Sequence, residues 1–151
     1  MHRSRDDGFE VSTDLSRLDR DVIHGFLRGA YWSVGLPRDV FERSLRHSIA
    51  FGLYDPGGRQ AGFARVVSDR VALAYLGDVF VLPEHRGRGL GVWLVRCVLE
   101  HPELQEIRRW YLATADAHDL YRRFGFETSS DPERHMFRER TAEELYGASR
   151  P

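Results

Sequence analysis

The chain contains no lysine, no asparagine and a single cysteine in 151 residues. Without lysine, a Gly-Lys-Ser/Thr nucleotide loop of the Walker type is excluded. All 22 basic residues other than histidine are therefore arginine. Avoidance of both lysine and asparagine points to a GC-rich coding sequence, so arginine abundance carries little functional weight. The lone Cys97 cannot close an internal disulfide, which fits a reducing cytoplasm. No apolar run reaches the roughly 18 residues of a membrane-spanning helix, and Met1 to Asp7 lacks the apolar core of a secretion signal. A net charge of −1 gives no reason to expect nucleic acid or membrane as a partner. His24, His47, His118 and His135 show no metal-ligand spacing with cysteine or carboxylates, so no metal is expected. Repeats and low-complexity linkers are missing as well. With 42% hydrophobic residues, the chain reads as one domain over 1–151, with a core over 9–140 and a C-terminal tail over 141–151.

What is present is most concentrated between Asp78 and Cys97. An apolar run leads to Pro83, then to Arg86-Gly87-Arg88-Gly89-Leu90-Gly91, then to Leu90, Trp93, Leu94, Cys97 and Val98 at the spacing of a one-sided helix. Strand, glycine-rich loop and helix N-terminus together present free backbone N–H groups to an anion. Arg86 and Arg88 can reach phosphate oxygens, and the glycines let a ligand come close. A dinucleotide fingerprint, G-x-G-x-x-G, is ruled out because Val92 stands three positions after Gly89. The pattern that is met is [Arg/Gln]-x-x-Gly-x-[Gly/Ala], at Arg86, Gly89 and Gly91. It resembles the acetyl-coenzyme A loop of the GNAT superfamily of N-acetyltransferases, including the preceding Val81-Leu82-Pro83-Glu84. Further on, Ala117-His118-Asp119-Leu120-Tyr121-Arg122-Arg123-Phe124-Gly125-Phe126 resembles the second signature of that family, A-x-x-L-Y-x-x-x-G-F. Ala117, Leu120, Tyr121 and Phe124 share a helical face, and Gly125 suits a left-handed cap. The resemblance covers roughly residues 50–130 and, more loosely, the whole chain.

The remaining elements follow from pattern. Phe9 to Ser12 reads as a first strand. A helix carrying Leu15, Leu18, Val22, Ile23, Phe26 and Leu27 runs to about Arg28, capped by Thr13 or Asp14. Pro37 opens a second helix with Val40, Phe41 and Leu45. Ser48 to Tyr54 and Gln60 to Ser68 are strands joined by the Asp55-Pro56-Gly57-Gly58 turn. Further strands are expected over Val71 to Leu82, Trp110 to Ala113, from Phe126, and near Met136-Phe137-Arg138. The order β-α-α-β-β-β-α-β-α-β-β agrees with the GNAT-like fold that the resemblance implies. That fold is α/β, a mixed, mostly antiparallel central sheet flanked by helices.

The resemblance further implies direct acetyl transfer from acetyl-coenzyme A to a primary amine. The pyrophosphate would rest on the amides of Arg86, Gly87, Arg88, Gly89, Leu90, Gly91 and Val92. The pantetheine arm would run beside Val79, Phe80 and Val81, where a backbone N–H would serve as oxyanion donor. Tyr121 matches the family tyrosine that protonates the thiolate. A free phenol, with pKa about 10, is close to an alkyl thiol, so that handover would be nearly balanced. The competing reading of Tyr121 is a core tyrosine on an amphipathic helix. Asp78, a lone carboxylate in an apolar strand, is the candidate general base; the alternative is an ion pair with Arg65 or a strand-edge cap. His85 is expected to face solvent. Thr114 stands where family members often carry a pantetheine-binding asparagine, and Val92 where a lysine sometimes stands. The acceptor amine would meet Tyr31 and Trp32 on the loop between the first two helices, with Phe63 and Arg65 on a neighbouring strand. Closure of the core beneath that loop is the alternative for the aromatic pair. A small-molecule amine is favoured over a protein amine, and a non-catalytic acyl-coenzyme A-binding module is the alternative of another class. A homodimer is permitted by exposed strand edges and the Tyr146-containing tail.

Overall fold

The protein, described here as a computed structural model over residues 1–147, is built on one six-stranded sheet. In chain order its elements are β1 (His2–Ser4), β2 (Glu10–Ser12), α1 (Arg20–Leu27), α2 (Arg38–Arg46), β3 (Ile49–Tyr54), β4 (Gln60–Ser68), β5 (Leu73–Val81), α3 (Leu90–Leu99), β6 (Arg109–Tyr111), α4 (His118–Arg122) and α5 (Ala142–Tyr146). The strands lie in sequence order; every neighbouring pair is antiparallel except β5 and β6. This is the mixed, mostly antiparallel α/β architecture expected from the sequence. None of the described helices is long and apolar enough to cross a membrane.

Helices cover both faces of the sheet. Leu90, Leu94, Val95 and Val98 of α3 pack with Val11, Phe51, Leu53, Ala64, Val66, Ala74 and Leu76 on one face. On the other, Ile23 and Leu27 of α1 and Phe41 and Leu45 of α2 close over Ala50, Phe63 and Phe80. Both strands carry an irregularity; the one in β5 turns Phe80 to this second face, where Phe63 lies in phase with Arg65. Leu53 pairs Gly62 while Tyr54 pairs Gln60, so Ala61 is the extra residue in β4. In β5 the pairing steps from Arg65–Gly77 to Phe63–Phe80, leaving Asp78 and Val79 opposite Ala64 alone. One inserted residue moves every later side chain to the opposite face.

Several boundaries differ from expectation for local reasons. The first helix is split: Asp14 accepts from Ser16 N (2.9 Å) to cap a short 3₁₀ turn, and Asp19 accepts from Val22 N (3.0 Å) to start α1. β5 begins at Leu73, not Val71, because Asp69 Oδ1 collects the N–H groups of Val71, Ala72 and Leu73 at 3.0, 2.9 and 3.0 Å. An unanticipated strand, β1, forms a hairpin with β2. The two strands expected after Gly125 are absent: no strand follows Tyr111 among the described residues, and Met136 and Phe137 are 93% and 85% exposed. The tail instead contains α5, whose Thr141 and Glu144 form a reciprocal capping box. Residues 148–151 of the expected tail lie outside the described residues.

Candidate active site

The chain leaves β5 through one 3₁₀ turn at Pro83–His85, then turns sharply into α3. Gly87 and Gly89 both adopt positive φ, 76° and 70°, and Gly89 is the N-cap of α3. The Arg86 N–H donates to Pro83 O (3.2 Å), and the Trp93 N–H donates to Gly89 O (3.1 Å). Between them, the N–H groups of residues 87–92 donate to no protein group among the described residues. The strand–loop–helix order thus yields a row of open donors at the positive end of a helix dipole. Leu90 is buried, so only its backbone faces this surface.

Arg86 does not stand free. Its Nε donates to Val81 O (2.9 Å), tying the loop back to β5. The Leu82 N–H donates to Ala61 O (2.8 Å), and ladder alternation turns the polar groups of Val81 to the other edge of β5. That edge is open because β6 pairs β5 only from Leu73–Arg109 to Tyr75–Tyr111. Phe80 offers nothing but backbone here. Its ring is buried and stacks on Phe26, with centroids 3.9 Å apart.

Where β5 and β6 part, a cleft of about 820 Å³ opens, and Asp78, Val79, Arg65, Tyr31, Trp32, Thr114 and Tyr121 line it. Residues distant in sequence thus meet as expected, with one exception. Phe63 is fully buried against Phe80, with ring centroids 6.3 Å apart, and cannot face a ligand. Phe63 shares a sheet face with Arg65, but the α1 and α2 side chains pack over its part of that face.

Tyr121, on α4, is 8% exposed, and its ring meets Phe126 edge-on at 6.0 Å. Burial, with Tyr31 as the next influence, pushes its phenol up to about 12. The near balance with a thiol expected from sequence therefore does not hold; Tyr121 retains its proton more tightly than a free phenol. Asp78 sits at φ 54° on the bulge with both carboxylate oxygens engaged. Oδ2 accepts from Arg65 Nε at 2.7 Å and Oδ1 from Trp32 Nε1 at 3.3 Å. The anticipated alternative, an ion pair with Arg65, is present.

The Tyr31 hydroxyl accepts from Ala115 N (3.0 Å), so the Tyr31-Trp32 loop is pinned on both sides of the cleft, at Ala115 and at Asp78. Tyr31 and Trp32 are 57% and 42% exposed, which is not how residues closing a core appear. Thr114 Oγ1 accepts from Ala117 N (3.0 Å) at the start of α4, leaving its O–H free to donate. His85 packs edge-on to Phe9 at 5.7 Å.

Sequence reasoning missed several contributors to the cleft, among them side chains of β5 and α5. Tyr75 stands on β5, its phenol raised first by burial and then by the Asp78 charge. Leu145 and Tyr146 of α5 form the outer wall. The Thr141-x-x-Glu144 signature ahead of them was a readable helix start.

Comparison with known proteins agrees with this geometry. The family description "Acetyltransferase (GNAT) domain" matches residues 46–128. A Gibberella zeae protein designated an acetyltransferase is 34% identical over 131 residues, covering 74% of each chain. A crystal structure of a protein from Xanthomonas campestris pv. campestris, assigned to the GNAT family of acetyltransferases, superposes with a TM-score of 0.86. It is 45% identical and spans 93% of this chain and 97% of its own. Glucosamine-6-phosphate N-acetyltransferase from Arabidopsis thaliana shares the fold alone, at 15% identity, with a TM-score of 0.63 over 89% of this chain and 98% of its own. With an open amide row, a parted β5–β6 edge and a buried tyrosine at that edge, the chain belongs to the GNAT superfamily and is an N-acetyltransferase.

Proposed function

We propose that this enzyme takes its acetyl group from acetyl-coenzyme A and passes it directly to the primary amine of a small molecule in the cytoplasm. The observation that carries the reading is the pairing of two surfaces at the open edge of β5. One is a set of donors without acceptors at residues 87–92; the other is the Tyr121 hydroxyl in the adjoining cleft. A pyrophosphate is a cluster of acceptors without donors, so the residues present fit the coenzyme. When bound, acetyl-coenzyme A supplies an acetyl group activated as a thioester.

The chain supplies position and protons. The Gly87–Val92 amides hold the anion, and the open edge of β5 offers backbone groups to an amide-bearing arm. Tyr121 stays protonated at neutral pH and so stands as a donor toward a departing sulfur. Its tight hold on the proton makes it a hydrogen-bond donor first and a proton source as negative charge develops. Asp78 fixes Arg65 and Trp32 along the wall where the amine enters. A cleft of about 820 Å³ with α5 at its outer side suits a small molecule.

The test is thiol release from acetyl-coenzyme A by purified protein over a panel of alkyl, aryl and amino-sugar amines and lysine peptides. Amine-dependent release with small amines is the expected result. Release with peptides alone moves the acceptor to proteins. Release with none leaves an acyl-coenzyme A-binding module.

A further inference from the structure

The coenzyme loop is gripped from a part of the chain outside the family-matched residues 46–128. The β1–β2 hairpin turns at Arg5 to Phe9, where Arg5 N donates to Phe9 O (2.8 Å) and Gly8 N to Arg5 O (2.9 Å). From this turn the Arg5 side chain crosses to the loop. Both terminal nitrogens donate to the carbonyl oxygen of Arg88, each at 3.2 Å. Asp7 aligns the guanidinium in fork fashion: Nε to Oδ1 at 3.0 Å and Nη2 to Oδ2 at 2.6 Å. Arg5 also lies over the Trp93 ring at 5.6 Å, and Arg88 lies over Phe9 at 6.0 Å. The two segments are thus interlocked in both directions.

The pinned carbonyl is a particular one. Arg88 lies between Gly87 and Gly89, two residues free to rotate into many conformations. The Arg88–Gly89 peptide is planar and trans, so its C=O and N–H point in opposite directions. Holding Arg88 O on the hairpin side directs the Gly89 N–H away from it, into the row of open donors. A flip of that peptide, which flanking glycines make easy, would present a carbonyl oxygen to the anion instead.

We propose that Arg5, aligned by Asp7, is a positioning residue of the coenzyme cradle, locking the Arg88–Gly89 peptide in its donor orientation. The inference rests on the reading that residues 86–92 take the coenzyme pyrophosphate. It adds that the N-terminal hairpin, through a carbonyl rather than through the ligand, sets the affinity of that loop.

The test compares wild type, Arg5→Ala, Arg5→Lys and Asp7→Asn in two measurements. Titration with coenzyme A and with 3′-dephospho-coenzyme A is expected to show about tenfold weaker binding of both by Arg5→Ala, as for loss of charge-assisted hydrogen bonds. Arg5→Lys recovers part of it, Asp7→Asn loses a smaller share, and kcat at saturating coenzyme stays within about twofold of wild type. Amide NMR of the free protein is expected to show Gly89 shifted and more mobile in Arg5→Ala, with the melting temperature little changed. Unaltered affinity with an unaltered Gly89 amide overturns the proposal. So does a loss seen with coenzyme A but not with its dephospho form, which makes Arg5 a phosphate ligand. Should wild type bind neither compound, the proposed function fails, and the Gly89 amide alone then decides whether Arg5 positions the loop.

Discussion

The loop proposed to take the coenzyme and the cleft proposed to take the acceptor lie side by side, yet they are built by opposite means. The loop is one contiguous stretch whose open groups are the backbone amides of Gly87 to Val92. The cleft is assembled by residues from the α1–α2 loop, α2, β4, β5, the β6–α4 loop, α4 and α5. A backbone device needs only the correct dihedrals, which two glycines and a helix start provide. A side-chain device needs several distant segments to arrive in register, and one inserted residue in a strand redirects a side chain. Affinity for the donor is therefore expected to respond to backbone changes, and choice of acceptor to side-chain changes.

The largest effect that sharpens this contrast is expected from Tyr121→Phe. Turnover falls by about 10²-fold or more while coenzyme affinity is retained, read by steady-state rates and titration on the same sample. Next is Gly89→Ala. A Cβ at Gly89 meets open space, but the 70° φ strains any other residue by about 1–2 kcal/mol. Coenzyme binding is expected to weaken about tenfold while the relative rates among amines stay the same. Equal damage to acceptor preference would break the separation of the two regions.

Asp78→Asn probes the other side. Asparagine tolerates the left-handed backbone of the bulge, so the change removes charge from the Arg65 pair with little strain. The KM for the amine is expected to rise about fivefold with coenzyme affinity unchanged. An unchanged KM together with a shifted pH–rate profile would make Asp78 the base. The smallest effect is a control remote from both regions. His101 is buried, and burial lowers its pKa from 6.5. As pH falls through that range the unfolded chain takes up a proton that the folded chain refuses, so stability declines on the acid side. His101→Asn should flatten that decline in denaturant titrations at pH 5 to 7 without changing either site.

What could be read from the sequence follows the same division. The loop was legible because its chemistry is local: spacing of Arg86, Gly89 and Gly91 before an amphipathic helix determines where amides point. Tyr121 was legible because its helix and Gly125, at φ 81°, form a compact local unit. Phe63 shares its face with Arg65, and its burial comes from α1 and α2 packing over it, a tertiary contact that leaves no mark in the apolar pattern. β1 escaped notice because His2, Arg3 and Ser4 are all exposed and show no alternation. The strand expected near Met136 had the composition of one but finds no sheet edge to join, since β6 is only three residues long. Arg5 could not have been placed at the loop from sequence, because its contact with Arg88 spans 83 residues.

Donor binding turns on whether the open backbone donors at residues 87–92 hold a coenzyme A pyrophosphate. Calorimetric titration of the purified protein with acetyl-coenzyme A, with ATP as the matched polyphosphate, addresses it most directly. Saturable one-to-one binding of acetyl-coenzyme A is expected, weakened about tenfold in Gly89→Ala, with ATP bound far more weakly. Equal binding of both, or binding of neither, would contradict it.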